Sequence, residues 1–202
     1  MVGFFYLYTP GMKQQTSAVR VLSIVAILAL LFGSCATTAS VTTAEPLTIT
    51  LVDKAAIKSA YGVRFATNPY LEPYGLFTGQ KNEFVVVEAR FNLPDPHVVL
   101  FDAAVYGPDE TVLATLYDRA AMHRFWADWE GLANPETRKS AIDNACMPAA
   151  RYAVPKGKRR YFLVCVGLNP LPRPASVRGS VVFDDGRRVD FDFPIASLPP
   201  TK

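Results

Sequence analysis

Only two histidines, His97 and His123, are available for acid–base or metal chemistry. His97 ends the run Leu93-Pro94-Asp95-Pro96-His97, a proline-punctuated loop, and His123 stands beside Arg124 in a segment of helical periodicity. No H-E-x-x-H pair occurs, so a zinc site has no support. A G-x-S-x-G elbow, a Walker loop and a C-x-x-C pair are also missing from the sequence, which removes the usual signatures of hydrolytic, nucleotide and thiol redox chemistry. Asp184 and Asp185, with Asp190 or Asp192, are the carboxylates a hard cation such as Ca²⁺ would seek. The Asp-Gly pair at Asp185-Gly186 is already explained as a tight hairpin turn. These residues point to a non-enzymatic protein with no metal and no cofactor.

The three cysteines, Cys35, Cys146 and Cys165, divide into two kinds. Cys35 follows an apolar run of 12 residues, 21–32 (VLSIVAILALLF), shorter than the ~20 residues a helix needs to cross a hydrocarbon core. Before that run the only charges are Lys13 and Arg20, and after it come the small residues Gly33-Ser34. A basic start, a short apolar core and small residues make a secretion signal. Residues 31–35, Leu31-Phe32-Gly33-Ser34-Cys35, resemble the lipobox of bacterial lipoproteins, with Phe32 in place of the usual leucine, as in the looser spirochaetal pattern. The resemblance covers the leader alone. It implies cleavage before Cys35 and acylation of its thiol, for instance by palmitate, with two or three chains at about 0.8 kcal/mol per buried CH₂ giving durable anchoring. The compact basic segment that begins at Met12 makes it an alternative translation start to Met1. Cys146 and Cys165 would share an oxidising compartment, where a bridge can form; two separately buried thiols are the alternative.

Without Lys13 and Arg20 the chain has 19 basic against 18 acidic residues. That near-neutral balance gives no electrostatic case for nucleic acid. The densest charge run is Lys156, Lys158, Arg159 and Arg160. It would suit anionic headgroups or an acidic partner, or serve as a solvated turn guarding the apolar strand that follows. A second candidate surface is aromatic: Tyr70, Tyr74 and Phe77 in a long proline-bearing stretch, and Trp126 and Trp129 on a helix. Such side chains anchor binding interfaces, and they equally cap cores.

The elements that would position these groups are mostly strands. Residues 47–52 (LTITLV) alternate apolar and polar, and 83–92 (EFVVVEARFN) put Val85, Val87, Ala89 and Phe91 on one face and Glu88, Arg90 and Asn92 on the other. Strands are also expected over 98–106, 111–117 and 160–168, the last apolar enough to be covered on both faces. A terminal hairpin joins 181–183 to 188–193. Asp118 starts a helix with Met122, Phe125, Trp126 and Trp129 on one stripe, and Asn134-Pro135 starts a second. Three parts follow: a signal peptide over 1–34, a lipidated flexible tether over 35–46, and a domain over 47–198 with a helical insert at about 118–147. The expected class is all-β, mainly antiparallel, an immunoglobulin-like β-sandwich. The expected role is a cell-envelope lipoprotein that binds another envelope protein or helps assemble a complex, held to a membrane by its lipid. A small-ligand or lipid-binding protein with a pocket under the insert is the alternative.

Overall fold

Strand β1 (Val41–Ala44) pairs antiparallel with β2 (Leu47–Val52), whose alternating residues match the expected bounds. The computed structural model describes residues 41–64, 67–71, 82–128 and 135–195, all within one compact unit, Ala39–Lys202. Helix α1 (Lys54–Tyr61) follows, started by Asp53, whose carboxylate accepts the Ala56 N–H at 2.6 Å, and stopped at Gly62 with φ +90°. The remaining strands are β3 (Asn82–Leu93), β4 (His97–Tyr106), β5 (Val112–Tyr117), β6 (Arg151–Val154), β7 (Gly157–Leu168), β8 (Ala175–Phe183) and β9 (Arg188–Ile195). Helices α2 (Arg119–Ala127) and α3 (Pro135–Ala145) lie between β5 and β6.

The mainly antiparallel β class and the two-helix insert hold. The sandwich does not: the nine strands form one sheet, ordered β1-β2-β3-β7-β5-β4-β8-β9 with β6 beside β4. A sandwich needs its strands divided between two sheets, and here unbroken pairing prevents that. β3 and β7 pair along their whole length, from Asn82 opposite Leu168 to Leu93 opposite Gly157. β4 then carries β8 on one edge and shares the other between β6 and β5. With β9 returning against β2, the sheet curls into a nearly closed barrel. β1 was expected to be flexible tether, yet Val41 opposes Thr50 in a regular ladder, so ordered pairing begins before Leu47.

Alternation places one set of side chains inside the barrel. Val85, Val87, Ala89 and Phe91 of β3 meet Val99, Phe101, Ala103 and Val105 of β4, Leu163 and Cys165 of β7, and Phe191 and Phe193 of β9. These are the inward faces that the period-two pattern assigned. The other face of β3 and β7 builds a second core. Phe84, Val86, Phe162, Val164 and Val166 are covered by Ile57 of α1, Met122 and Trp126 of α2, and Ile142 and Ala145 of α3. From Tyr161 to Val166 strand β7 is therefore apolar on both faces because both are buried.

Local hydrogen bonds fix the helical cover. Asp118 accepts the Ala121 N–H at 2.7 Å and caps α2. The insert's two ends are tied where Arg119 N–H donates to the Met147 carbonyl at 2.8 Å, and Met147 N–H donates to the Phe162 carbonyl at 2.9 Å. Asn68, wholly buried, donates to the Gly62 carbonyl at 2.7 Å and accepts the Tyr70 N–H at 3.0 Å, pinning Tyr70 under α1. No helix among the described residues is long and apolar enough to cross a membrane.

Candidate functional site

Register turns residues distant in sequence into one surface. Thr48 of β2 lies opposite Arg90 of β3, which lies opposite Arg160 of β7, and the next row sets Asn92 opposite Lys158. All of these belong to the outward face that α1, α2 and α3 leave uncovered. The result is an open groove of about 500 Å³ whose lining includes Arg90, Asn92, Lys158, Arg159 and Arg160. The near wall comes from the β1–β2 turn, with Thr43, Glu45 and Pro46.

Glu88 organises the guanidinium groups. Its outward position predicts exposure, yet its side chain is only 6 % exposed, against 64 % for Arg90 and 50 % for Arg160. Arg90 Nε donates to Glu88 Oε2 at 2.6 Å, and Arg160 Nε stands 3.5 Å from Oε1. A buried carboxylate is tolerated only when paired, so Glu88 requires both cations. Arg160 also donates to the Tyr61 hydroxyl at 3.2 Å, and its guanidinium lies over the Phe162 ring at 5.4 Å. Burial pushes the Tyr61 hydroxyl above its ordinary value of 10.0, with Arg160 pulling the other way. The arginines are thus held from beneath while their outer edges face solvent. Lys158 and Arg159 are exposed.

The aromatic surface divides differently. Tyr70 and Trp126 are each 2 % exposed and belong to the outer core, so they do not form a free binding face. The Tyr70 ring packs edge-on against Phe162 at 5.0 Å and its hydroxyl donates to the Ala141 carbonyl at 3.0 Å. Trp126 donates its indole N–H to the Pro69 carbonyl at 3.1 Å and carries Arg138 at 4.7 Å from its ring. Tyr74, Phe77 and Trp129 lie outside the described residues, as does Cys35. Tyr70 and Trp126, with Met122 and Ile142, fill the space between insert and sheet. A second hollow, of about 350 Å³, opens between α2 and α3 beside His123, Arg138 and Lys139.

Cys146 and Cys165 are free, buried thiols. Their separation is a matter of faces: Cys165 points into the barrel and Cys146 into the outer core, so the β7 sheet layer stands between them. Burial pushes both up to about 12. Each histidine finds a carboxylate, His97 with Asp184 at 2.7 Å and His123 with Asp143 at 2.9 Å. His97 has its other nitrogen 3.4 Å from an Arg187 guanidinium nitrogen, which offers it no nucleophile to activate. Asp185, Asp190 and Asp192 are paired with Arg187, Arg188 and Arg178, and no group of three metal-ligating side chains converges among the described residues.

Lys158, Arg159 and Arg160 were legible as a charge run, but Arg90, Glu88 and Tyr61 were not legible as their neighbours. The one available signal was the outward triplet Glu88, Arg90 and Asn92, an unusual concentration of polar side chains at the end of a very apolar strand. Comparison with protein-family models, with curated proteins and with solved structures yields no match.

Proposed function

We propose that this chain is a lipid-anchored cell-envelope protein, acylated at Cys35, whose barrel is a non-enzymatic docking module for an anionic envelope component. The single observation that carries the docking role is the Arg90–Arg160–Lys158–Arg159 groove, in which a buried Glu88 holds two guanidinium groups facing outward. Preorganised guanidinium edges suit carboxylate or phosphate groups because they present paired N–H donors in a fixed fork. The leader supports the anchor: a short apolar core ending in Gly33-Ser34-Cys35 resembles the sites at which lipoproteins are cut and acylated. Tethering raises effective concentration, so a modest groove is enough. The filled space beneath the insert favours this reading over a pocket that engulfs a small apolar ligand.

The anchor is tested by growing the producing cells with labelled fatty acid. Wild type should carry the label and Cys35→Ser should not; label retained by Cys35→Ser would sink the anchor. The docking role is tested by crosslinking in intact envelopes. Lys158→Glu with Arg159→Glu should lose adducts that wild type forms, and an unchanged adduct pattern would reject the groove as the docking face.

A further inference from the structure

We infer that the anionic component met by this groove is the headgroup layer of the bilayer carrying the protein, so that the barrel lies with its Arg90–Arg160 face against anionic phospholipid. This deepens the lipid-anchor reading above and rests on it. Two features support this: the first favours a headgroup over an acidic protein segment, and the second calls for an anion of either kind.

The first is chain continuity. The wall of the groove is the β1–β2 turn, at the N-terminal end of the described residues, with Thr43 and Glu45 among its lining residues. Thr43 is only eight residue steps along the chain from Cys35, with seven residues between them. At ~3.6 Å per extended residue that is a leash of no more than ~29 Å, comparable to the depth of one leaflet with its headgroups. An acyl group on Cys35 would therefore keep this face of the barrel close to the membrane surface, whereas a protein partner has no such geometric preference for it.

The second is charge and shape. Four of the groove's eleven lining residues are Lys or Arg, and Glu45 is the sole carboxylate among them. Glu88 is sequestered beneath and already matched by Arg90 and Arg160. Lys158 and Arg159, both exposed and both lining the groove, are cations that Glu88 does not engage. Near an anionic leaflet each such cation strengthens binding about fivefold. Thr48 and Asn92 add neutral hydrogen-bonding groups to these two adjacent rows.

The test uses the full chain carrying Cys35→Ser, so that no acyl group contributes, and two kinds of vesicle: phosphatidylcholine alone, and phosphatidylcholine mixed with phosphatidylglycerol. The leader, with its own Lys13 and Arg20, is present in every variant, so the change from one variant to the next reads the groove. Cosedimentation should favour the phosphatidylglycerol vesicles and weaken as salt is raised. Adding Lys158→Gln and Arg159→Gln should remove about twenty-fivefold of that preference. Exchanging the same pair as Lys158→Arg and Arg159→Lys should preserve it, and thermal melts of all variants should coincide. Arg188→Gln, a cation lost from β9, should change nothing. Equal binding to both vesicles, or an equal loss in Arg188→Gln, overturns the inference. Capture of a poly-glutamate peptide that depends on Lys158 and Arg159, without vesicle preference, overturns it in favour of an acidic protein partner. Fatty-acid labelling of wild type reads the anchor separately, so failure of the groove and failure of the anchor are told apart.

Discussion

The outer face of the β3–β7 ladder has two halves built from the same strands in one unbroken register. In one half Phe84, Val86, Phe162, Val164 and Val166 are buried beneath three helices; in the other Arg90, Asn92, Lys158 and Arg160 stand in solvent. Inside the barrel β3 shows no such division, because Val85 to Leu93 are buried throughout at every second position. The difference teaches that the closed interior imposes burial by geometry, while the outer face is apolar only as far as the helices reach. Glu88 stands at the boundary, opposite Phe162 and sealed by Arg90 and Arg160. It is where a buried surface is converted into a charged one.

The strongest break of the covered half is Trp126→Ala. Trp126 packs edge-on against Phe84 and Phe125 and bonds the Pro69 carbonyl. Its truncation leaves a cavity and an unpaired carbonyl, and should lower unfolding free energy by about 4 kcal/mol. Lys158→Gln in the open half should stay within about 0.5 kcal/mol. Denaturant titration of both variants checks the contrast; similar losses would mean that the halves are not energetically distinct.

The boundary gives the next largest effect. Arg90→Gln with Arg160→Gln strands the Glu88 carboxylate without a cation, which should cost about 2–3 kcal/mol, below the full penalty for a buried charge because both arginines are half exposed. Adding Glu88→Gln removes the stranded charge and should recover most of the loss. A triple variant no more stable than the double would show that the arginines act through packing on Phe162 rather than through Glu88.

Much of the barrel interior was legible because period-two alternation is a local property. Residues 47–52, the inward faces around Val85 and Val99, and the Asp118-capped helix are all set by their own neighbours in sequence. The Asp185-Gly186 turn was legible for the same reason, with Gly186 at φ +86°. The single curled sheet was not, since whether β4 joins β8, β5 and β6 in one sheet depends on pairings between distant segments. α1 was missed although Asp53 and Gly62 bracket it, because eight residues with Ile57 as the one buried side chain carry almost no periodic signal. The groove was half legible: adjacent cations reveal a charge run, but no local pattern says that Arg90 will stand across from Arg160. Tyr70 and Trp126 show the opposite failure, since aromatic residues that suit a binding surface suit a second core equally well.

The two thiols sharpen the comparison because each reports one core. Cys165 is enclosed by the barrel and Cys146 by the helical cover. Cover attached by short helices should open locally at lower free energy than the barrel unfolds. Cys146 should therefore react with a thiol reagent about tenfold faster than Cys165, a gap of about 1.4 kcal/mol in opening free energy. Mass mapping of alkylated peptides over time checks this, and simultaneous labelling would merge the two cores into one cooperative unit. Alkaline stability follows from the same burial. Both thiols lie at about 12 in the folded chain against an ordinary 9.0, so the unfolded chain loses these protons first. Between those limits the unfolded state binds fewer protons, and stability must fall as pH rises. Denaturation midpoints measured from pH 8 upward should decline, and Cys165→Ala should flatten the decline.

The smallest effect tests whether distance or burial decides what an ion pair is worth. His97 and Asp184 approach to 2.7 Å, closer than Arg160 and Glu88 at 3.5 Å. Yet the Asp184 side chain is 46 % exposed and that of Glu88 only 6 %, and water screens the first pair while leaving the second dependent on its partners. Asp184→Asn should therefore shift the denaturation midpoint only slightly at neutral pH, well below the Arg90/Arg160 double variant. The bond from His97, aided by the Val98 N–H, holds the Asp184 carboxyl below its ordinary 3.8. Its contribution is thus complete above that value and is lost as pH falls through the lowered one. Asp184→Asn should differ from wild type least under strongly acidic conditions and most above pH 4. A loss as large as that from stranding Glu88 would show that proximity outweighs burial, and would place the boundary of the charged half elsewhere than at Glu88.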